Sequence, residues 1–413
     1  MRHVIIGNGI AGVEAAGVIR ALDPGSSLTI IARETFPPYC RPMISLVLAG
    51  TATVEQLPIR PELWYHRLGI DARVGETAEA IDLEHRVVTT DRGGSFPFDR
   101  LLVASGSDPR AVEGEGMGLD GVFFMRTEAH VRGMLERLPE VKHALVLGGG
   151  LVGFKAAYGL LHRGISVTML IRSGYPLAMQ VDAGAGDLIR QELERKGLLL
   201  RLGAEVSAFE GGNGDRAGRV ARAHLSDGTT LDCDLAVIGK GVVPTMGFLP
   251  PEIVTHAGVS VDEHLETSVP GIYAAGDVAE SVDVSRQKRW VNAVWPVAVE
   301  QGRVAGMNMA GRPVKYPGSL SRNVIRIYDL DVLTAGIVNP DETDEYDVYV
   351  AGDPRRNRYR KLVLRDGVLV GAVLVGGVEQ GGVLMALINN QRRLDGPIDA
   401  YLDPSFNFGQ VIA

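Results

Sequence analysis

The sequence has 413 residues, of which 46% are hydrophobic and 22% charged, with a formal net charge of -8. This length supports about two or three domains with cores of their own, and the negative charge argues against nucleic acid or an anionic membrane as partner. Cys40 and Cys233 are the only cysteines, which excludes a disulfide framework, a Cys-x-x-Cys redox pair and an iron–sulfur cluster held by this chain. No apolar run reaches the roughly 20 residues of a membrane helix, and no signal peptide precedes the first strand, so we predict a cytoplasmic protein without a metal site.

The chain begins with a strand, a glycine turn and a helix. The apolar run Val4–Ile6 predicts a buried parallel strand. Gly7, Gly9 and Gly12 follow with G-x-G-x-x-G spacing, and Val13–Leu22 predicts a helix. In such a turn the first glycine allows a tight bend, the second admits a pyrophosphate and the third lets the helix pack on its strand. The helix N-terminus also presents unpaired N–H groups to phosphates, so the pattern predicts a dinucleotide site; the alternative is an ordinary strand–helix turn.

An acidic residue follows the second predicted strand. Leu28–Ala32 predicts that strand, and Glu34 comes shortly after it. At this distance from the glycines a carboxylate is placed to accept the protons of ribose hydroxyls. We include Arg33 beside it, and Ile10 and Ala11 within the turn, in the predicted site.

A stiff loop comes next, with the sequence Pro37-Pro38-Tyr39-Cys40-Arg41-Pro42. Arg41 is a candidate ligand for a phosphate or a ring edge, because a guanidinium presents a fork of donors to anionic oxygens. We include Pro42 with it. The alternative for Arg41 is a solvated surface arginine.

Two predicted features follow between residues 71 and 107. Residues 71–90 predict the two strands of a hairpin, with Ala78 among its apolar anchors. Phe98–Ser107 predicts a buried strand that ends in the small residues Ala104-Ser105-Gly106. Such an ending lets the backbone lie flat against a ligand.

The order of these motifs resembles that of the pyridine-nucleotide–disulfide-oxidoreductase superfamily of FAD flavoproteins. The resemblance implies an α/β fold with two Rossmann-like dinucleotide-binding domains, as in glutathione reductase, and a small C-terminal α+β domain. It implies a discontinuous FAD-binding domain (1–115 and 245–312), an NAD(P)-binding domain (116–244) and a C-terminal domain (313–413).

A second glycine turn follows the predicted strand Lys142–Val146. Its sequence is Gly148-Gly149-Gly150-Leu151-Val152-Gly153, and Phe154–Arg163 predicts the helix after it. Two dinucleotide fingerprints are more specific than one, and one nucleotide cannot fill both. We therefore predict a flavin dinucleotide at the first turn and a nicotinamide dinucleotide at the second.

The strand predicted at Ser166–Ile171 ends without the acidic residue that NAD-selective sites carry. Arg172 and Ser173 stand there instead, and an arginine at this point can receive the 2′-phosphate of NADPH. A second arginine expected one turn later is absent, because that position is Ala178, so NADH and NADPH both stay open. A later predicted strand lies within residues 234–244. In the superfamily the glycines of the corresponding strand pass near the nicotinamide dinucleotide, and the resemblance therefore implies Gly241 as a binding residue.

The segment Thr267–Glu280 closely resembles the second flavin signature of the superfamily. A strand delivers Gly276 and Asp277 to a helix start, where the carboxylate can accept a ribityl hydroxyl and N–H groups face a phosphate. The residues around Trp295 resemble the start of the helix beside the isoalloxazine. The alternative for Trp295 is a plain core residue.

From Pro313 onward the pattern changes to short alternating strands, an Asp366-Gly367 hairpin turn and the helix Glu379–Asn390. The segment Tyr359–Gly376 is similar to the C-terminal domain of NADH–rubredoxin reductases and of the flavin-binding part of assimilatory nitrite reductases. The predicted strands are Val324–Tyr328, Val332–Ile337, Tyr346–Ala351, Tyr359–Arg365 and Leu369–Val375.

The cysteines depart from the superfamily pattern. Its dithiol branches need a Cys-x4-Cys pair beside the flavin, and this sequence has none, which excludes disulfide reduction of that type. Single-cysteine branches, the coenzyme A disulfide reductases and NADH oxidases, place one cysteine near residue 40. Cys40 lies in that region, but the Ser-Phe-x-x-Cys-Gly context is missing, so we favour a structural Cys40 over a redox-active one. Cys233 is interpreted as structural.

A charged pair of the superfamily is also changed. Relatives often carry a lysine that reaches the flavin N5 side, where this sequence has Leu46, and a glutamate just past the second glycine turn, where it has Lys155. A lysine in the first turn of a helix opposes the helix dipole. We hypothesise a catalytic role for Lys155, which would stabilise anionic reduced flavin; the alternative is a lysine that reaches solvent.

The sequence therefore predicts an FAD flavoprotein that transfers electrons between NAD(P)H and an external one-electron carrier by hydride transfer to flavin N5. The expected partner is a rubredoxin or a ferredoxin-like iron–sulfur protein, or the other subunits of a redox complex. The alternatives are an NADH oxidase, a coenzyme A disulfide reductase that uses Cys40 and, in another class, an FAD-holding electron-relay subunit. Ala78 and Arg126 complete the predicted cofactor-binding residues.

Overall fold

The structure is a computed structural model that describes residues 1–341 and 345–409. The chain forms two compact units, each assembled from separate stretches. Unit 1 comprises Met1–Pro42, Leu57–Asp108 and Val243–Ser321, and unit 2 comprises Met43–Gln56, Pro109–Val242 and the chain from Arg322 onward. The predicted C-terminal domain, 313–413, includes residues 342–344 and 410–413, which lie outside the described residues.

Helices and strands are numbered along the described chain. The helices are α1 (Ile10–Leu22), α2 (Ile44–Ala49), α3 (Trp64–Arg67), α4 (Glu128–Arg137), α5 (Leu151–His162), α6 (Ala183–Arg195), α7 (Trp295–Met309) and α8 (Gly381–Asn389). The strands are β1 (Arg2–Ile6), β2 (Ser27–Ala32), β3 (Asp71–Val74), β4 (Ala78–Asp82), β5 (Val87–Thr90), β6 (Ser95–Pro97), β7 (Arg100–Val103), β8 (Ser107–Pro109), β9 (Val122–Phe124), β10 (His143–Leu147), β11 (Ser166–Ile171), β12 (Leu199–Leu202), β13 (Val206–Gly211), β14 (Val220–Leu225), β15 (Thr230–Asp232), β16 (Leu235–Ile238), β17 (Val242–Pro244), β18 (Val259–Ser260), β19 (Ile272–Ala274), β20 (Ala279–Asp283), β21 (Lys288–Trp290), β22 (Arg322–Ile327), β23 (Leu330–Gly336), β24 (Asp347–Asp353), β25 (Arg358–Arg365) and β26 (Val368–Val375).

A parallel sheet in the order β3-β2-β1-β7-β19 forms the centre of unit 1. Its central strand, β1, pairs with β2 and with β7, so that Ile5 lies between Ile30 and Leu102. All three side chains are fully buried, as expected of apolar runs in a parallel sheet. Because the strands are parallel, their carboxyl ends share one edge, which is where such sheets bind ligands.

Helix α1 begins at Ile10, earlier than the predicted start at Val13, because Gly9 already serves as its N-cap in an extended conformation. It packs closely against α7. A Cβ atom on Gly302 would lie 2.3 Å from the carbonyl oxygen of Ala11, and one on Gly306 would lie 2.8 Å from that of Ala15. The two helices therefore meet backbone to backbone, at a separation that only glycine allows.

Residues 71–90 form more than the single hairpin that the sequence predicts. β3 joins the parallel sheet, with Val74 opposite Ala32, and the hairpin consists of β4 and β5, with Ile81 opposite Val88. A short alternating run favours a strand but does not select its partner, which tertiary packing decides.

In unit 2 a second parallel sheet has the order β12-β11-β10-β16-β9. The central strand, β10, lies between β11 and β16, so that Leu145 is flanked by Thr168 and Ala236. Helix α5 begins at Leu151 and ends at His162, whereas the prediction was Phe154–Arg163; the earlier start again follows from an extended glycine at the N-cap.

Unit 2 also contains an antiparallel sheet in the order β22-β23-β26-β25-β24. All five predicted strands occur, with shifted ends, and the turn between β25 and β26 has positive φ at both Asp366 and Gly367, as a tight two-residue hairpin requires. Helix α8 is Gly381–Asn389, slightly shorter than predicted. Within 1–341 and 345–409 no helix is long and apolar enough to cross a membrane, and no cluster of three potential metal ligands occurs.

Candidate functional site

The first glycine turn joins β1 to α1 at the carboxyl edge of its sheet. Gly7 has φ +116°, and a Cβ atom there would lie 2.0 Å from the carbonyl oxygen of Ala104. A Cβ atom on Gly12 would lie 2.1 Å from the carbonyl oxygen of Gly7, whereas one on Gly9 would meet nothing within 4 Å. The turn is therefore tightly packed at Gly7 and Gly12 and open at Gly9. The open backbone is where a pyrophosphate would approach.

Two further predicted segments reach the same edge of the unit 1 sheet. Strand β7 leads into Ala104-Ser105-Gly106, and β19 leads into Gly276 and Asp277. The Ser107 hydroxyl donates to the Asp277 carboxylate at 2.7 Å. A Cβ atom on Gly276 would lie 3.2 Å from the Cβ atom of Ala11. The structure thus brings the segment that resembles the second flavin signature against the first turn of α1.

Glu34, Tyr39 and Arg41 form one cluster. Arg41 pairs with the Glu34 carboxylate, its Nη1 donates to the Tyr39 hydroxyl at 2.7 Å, and that hydroxyl donates to Glu34 at 2.8 Å. Burial acts to lower the pKa of Arg41, but the charges of Tyr39, Glu34 and Asp277 outweigh it and raise the pKa. The candidate ribose ligand and the candidate phosphate ligand therefore hold each other in place.

Arg33 is exposed and takes part in a different pair. Its Nη2 lies 2.5 Å from Asp108 Oδ1, and the Thr245 hydroxyl donates to the same carboxylate at 2.8 Å. The hydrogen bond to Asp108 raises the pKa of Arg33. The Ser105 hydroxyl donates to the Thr245 carbonyl at 2.8 Å, so Arg33 is linked to the small-residue segment that follows β7.

Four predicted residues occupy more peripheral places. Trp295 is the first residue of α7 and is half-buried, and Pro42 is exposed. The Ala78 side chain is buried in the core at the start of β4, so a contact from Ala78 to a ligand would come from its backbone. Arg126 follows β9 in unit 2 and is not among the residues that line the cleft of that unit.

The second glycine turn opens onto a cleft of about 790 Å³ in unit 2. A Cβ atom on Gly148 would lie 2.6 Å from the carbonyl oxygen of Gly239, and one on Gly153 would lie 2.0 Å from that of Gly148. A Cβ atom on Gly150 would meet nothing within 4 Å. Gly153 therefore packs inward. The predicted residues that line the cleft are Gly148, Gly150, Leu151, Val152, Arg172 and Gly241.

Sequence reasoning missed several polar residues of this cleft. Lys240 pairs with Glu205 at 3.0 Å, and both line the cleft together with Arg110. The sequence did contain a signal for Lys240. This residue comes two positions after the end of the buried strand β16, and the carboxyl ends of parallel strands face the ligand. No local pattern marks Arg110 or Glu205. Gln180 also lines the cleft, and its Oε1 is buried without a hydrogen-bond partner among the described residues, which leaves an acceptor for a ligand donor.

Lys155 lies outside this cleft. It lines a separate groove of about 550 Å³ in unit 2, together with Leu46. The rings of Tyr158 and Tyr328 in the groove are 5.5 Å apart, and the Lys196 ammonium lies 5.5 Å from the Tyr328 ring centroid. The two positions of the predicted charge exchange, 46 and 155, are thus brought together. The catalytic role of Lys155 stays a prediction.

The two cysteines have different surroundings. Cys40 is half-exposed, and its N–H donates to the Leu57 carbonyl at 3.0 Å. Cys233 is 3% exposed, and burial raises the pKa of its thiol to about 12. A thiol with such a pKa is almost entirely protonated at neutral pH, and is therefore a poor nucleophile.

Comparison with known families gives two matches that together span most of the chain. Residues 1–302 match the family described as pyridine nucleotide-disulphide oxidoreductase. Residues 322–392 match the rubredoxin NAD+ reductase C-terminal domain.

Individual proteins agree with these matches. The chain is 31% identical over 374 residues to the assimilatory nitrate reductase electron transfer subunit of Bacillus subtilis (strain 168), which covers 90% of this chain and 47% of that protein. It is 31% identical over 286 residues to rubredoxin-NAD(+) reductase of Pseudomonas putida, covering 68% of this chain and 72% of that protein. The solved covalent putidaredoxin reductase–putidaredoxin complex shares the fold, with a TM-score of 0.88 at 24% identity over 100% of this chain and 98% of that one. The chain spans about half the length of the first curated relatives it matches.

Proposed function

Since the chain belongs to the pyridine nucleotide-disulphide oxidoreductase family, we propose that it transfers electrons between NAD(P)H and an external one-electron carrier through bound FAD. The family uses FAD and NAD(P)H. The observation that carries the proposal is the repeated turn, in which Gly9 and Gly150 alone leave their backbone open while the glycines on either side are packed. One chain with two such turns suits a pair of dinucleotides.

The residues of unit 1 fit FAD. The open backbone at Gly9 and the start of α1 would face its pyrophosphate. Asp277, oriented by the Ser107 hydroxyl, would accept a ribityl hydroxyl, and the Glu34–Arg41 pair would meet the ribose and a phosphate. When bound, FAD would supply hydride acceptance and the release of electrons one at a time. The protein residues orient it and exclude water.

The cleft of unit 2 fits a nicotinamide dinucleotide. Gly150 and the start of α5 would face the pyrophosphate. Arg172 is exposed at the carboxyl end of β11, where an acidic residue would select for NAD, so it supports acceptance of NADPH. The free acceptor of Gln180 would take a hydrogen bond from the ligand.

The carrier we propose is a rubredoxin or a ferredoxin-like iron–sulfur protein. The P. putida relative is named a rubredoxin-NAD(+) reductase, and the C-terminal match carries the same association. With only Cys40 and Cys233 in the sequence, the chain holds neither a dithiol nor a cluster of its own to receive the electrons. A place within a larger complex is a second candidate, favoured by the B. subtilis relative, which is named an electron transfer subunit.

An anaerobic titration of the purified holoprotein with NADH and, separately, NADPH tests the hydride step. We expect the visible absorbance of the oxidised flavin to bleach with at least one nucleotide, and re-oxidation to follow the addition of an oxidised rubredoxin or ferredoxin. An Arg172→Ala variant should lose most of its response to NADPH while its response to NADH changes little, because it retains everything except the candidate 2′-phosphate ligand.

Other outcomes distinguish the alternatives. Bleaching by neither nucleotide would contradict the proposal and favour an electron-relay subunit. Rapid O2 consumption with NADH alone would favour an NADH oxidase. Reduction of coenzyme A disulfide that stops when Cys40 is alkylated would favour the single-cysteine branch.

We further propose a cytoplasmic location. Two cysteines in 413 residues suit a reducing compartment, whereas exported domains commonly rely on disulfides. Cell fractionation with an antibody against the chain tests this, and recovery in a membrane or extracellular fraction would contradict it.

A further inference from the structure

We propose that the C-terminal segment of unit 2 sets the affinity of the nicotinamide-dinucleotide cleft by holding the loop 172–182 in position. The holding residues are Asn339, Tyr359 and Lys361, none of which lines the cleft. The inference rests on the proposed function, because it takes that cleft to be the NAD(P)H site.

The loop 172–182 joins β11 to α6 and forms one wall of the cleft. Its lining residues are Arg172, Ser173, Ala178, Met179 and Gln180. At its centre, the N–H of Leu177 donates to the carbonyl of Gly149, in the glycine turn, at 2.8 Å. Leu177 is 1% exposed and has φ +56°, a conformation that a leucine adopts only where its surroundings enforce it. The loop is therefore held against the glycine turn, which would face the pyrophosphate.

Asn339 holds the loop from its other side. Its Nδ2 donates to the carbonyl oxygen of Ala178 at 2.9 Å and to that of Val181 at 3.0 Å. Ala178 is itself a lining residue of the cleft. One side-chain amide thus fixes the backbone on both sides of Met179 and Gln180.

Asp182, at the end of the loop, is held by three donors. Its carboxylate caps α6 by accepting from the Ala185 N–H at 3.2 Å, and it accepts from the Tyr359 hydroxyl at 2.6 Å. The Lys361 ammonium, with its side chain 7% exposed, lies 2.8 Å from the same carboxylate. Burial acts to raise the pKa of Asp182, but the bonds from Lys361 and Tyr359 outweigh it and lower the pKa. The carboxylate is therefore ionised and fully engaged at neutral pH.

The packing beneath Asp182 leaves little room for movement. A Cβ atom on Gly184 would lie 2.9 Å from Cε2 of the Tyr359 ring. The ring and the helix start are therefore in close contact, and the loop cannot shift without breaking bonds to β25. A nucleotide that meets a preformed wall avoids the entropic cost of ordering it, which is why these remote residues affect binding.

The test compares Asn339→Ala and Tyr359→Phe with matched controls in the same sheet, all as FAD-loaded full-length protein. The controls are Asn323→Ala in β22 and Tyr349→Phe in β24. Neither side chain makes a hydrogen bond within residues 1–341 and 345–409. Calorimetric titration with NAD+ and with NADP+ measures binding without turnover. We expect the Kd to rise roughly 5- to 20-fold in Asn339→Ala and about 2- to 5-fold in Tyr359→Phe, and to stay within about twofold in the controls.

If these residues position the loop, their substitution should change KM but not the limiting rate of flavin reduction. The KM for the nicotinamide nucleotide should rise with the Kd, whereas the limiting rate of flavin bleaching and the flavin spectrum should not change. Unchanged Kd values in both variants would overturn the proposal. If Asn339→Ala does not fold, Tyr359→Phe decides alone, since it removes only one hydroxyl.

Amide hydrogen exchange separates this proposal from the proposed function. The amide of Leu177 should exchange faster in Asn339→Ala than in the parent protein even without a nucleotide. Faster exchange together with no binding of NAD+ or NADP+ to the parent would mean that the loop is held as proposed and that the cleft is not the nicotinamide site. Unchanged exchange would overturn the holding role itself.

Discussion

The two glycine turns of this chain share one backbone geometry. A Cβ atom on the third glycine would strike the carbonyl oxygen of the first in each turn, at 2.1 Å for Gly12 and 2.0 Å for Gly153. In each turn the middle glycine is open, and the helix starts directly after it. The two sheets also share their central arrangement, because β1 lies between β2 and β7, and β10 lies between β11 and β16. The same spacing of three glycines between a buried strand and a helix thus accompanies the same turn geometry at both places, although the residues between the glycines differ.

The same two turns carry opposite charges on their helices. Two residues after the last glycine, α1 has Glu14 and α5 has Lys155. Glu14 is 2.6 Å from Arg60 and 2.6 Å from Arg303, while Lys155 lines an open groove. The comparison teaches that the two turns have the same backbone geometry, and that the side chains around the glycines distinguish the two sites.

The largest expected effect comes from filling an open glycine. Gly150→Ala should fold and keep its FAD, because no protein atom lies within 4 Å of the new Cβ, yet lose at least about tenfold in affinity for NAD+ or NADP+, because the methyl group would meet the pyrophosphate. Gly9→Ala should instead yield protein with little flavin. Flavin content and calorimetric Kd values measure both effects.

Gly118→Ala is the matched control for Gly150→Ala, since a Cβ atom there also meets nothing within 4 Å and Gly118, which lies outside the loop 172–182, does not line the cleft. If Gly150→Ala binds the nucleotide as Gly118→Ala does, the pyrophosphate does not approach this turn.

A smaller effect is expected from the charge that distinguishes the helices. Lys155→Met should lower the flavin midpoint potential by about 30 mV, which for a two-electron couple is ~1.4 kcal/mol, because a cation near the flavin favours its anionic reduced form. Spectroelectrochemical titration measures the potential. Lys196→Met is the control, because it removes a second cation of the same groove, which pairs with Asp329 at 2.7 Å. Equal potentials in the parent and Lys155→Met would end the hypothesis.

The smallest effect concerns the amino-terminal edge of the two parallel sheets, where β7 and β16 are each preceded by an aspartate. Asp99 accepts from the Arg2 N–H at 2.7 Å, and Asp234 accepts from the Lys142 and His143 N–H groups at 3.0 and 3.1 Å. The side-chain and backbone hydrogen bonds from Arg2 lower the pKa of Asp99 to about 2. Its contribution to stability is therefore present above the ordinary aspartate pKa near 4 and is lost as the pH falls toward 2.

Asp99→Asn should thus lower Tm slightly at pH 7, by less than ~1 kcal/mol of unfolding free energy because the pair is exposed, and the difference from the parent should shrink as the pH falls toward 2. Thermal unfolding at several pH values measures it. A difference that grows on acidification would contradict the assigned sign of the pKa shift.

Many of the strands and turns of the fold could be predicted from local sequence. The glycine triplets, the apolar strands before them and the Asp366-Gly367 turn each combine a backbone requirement with the residue that meets it. Helix starts were predicted too late at both turns. The reason is that Gly9 and Gly150 are themselves the N-caps, so each helix begins inside the glycine pattern that predicts the turn.

The rest depends on contacts between distant residues. Arg33 pairs with Asp108, 75 residues away, and Tyr359 bonds Asp182 across 177 residues. No periodicity marks such partners, because each side chain is also compatible with solvent. The predicted ligands Glu34 and Arg41 are close in sequence, yet their pairing with each other depends on the fold of the loop between them. The predicted division into three domains and the roles of the individual site residues stay predictions.

The close crossing of α1 and α7 sets an order of events during synthesis. Helix α1 is made before the glycines that receive it, Gly302 and Gly306, and the whole stretch 109–242 of unit 2 is made in between. During that interval the face of α1 that α7 covers stays exposed on the nascent chain, and such surface invites aggregation or chaperone binding. A ribosome that stops before α7 would release a chain whose α1 lacks this partner helix. If FAD binds at the first glycine turn as proposed, stable capture of the cofactor therefore has to wait until α7 has been made.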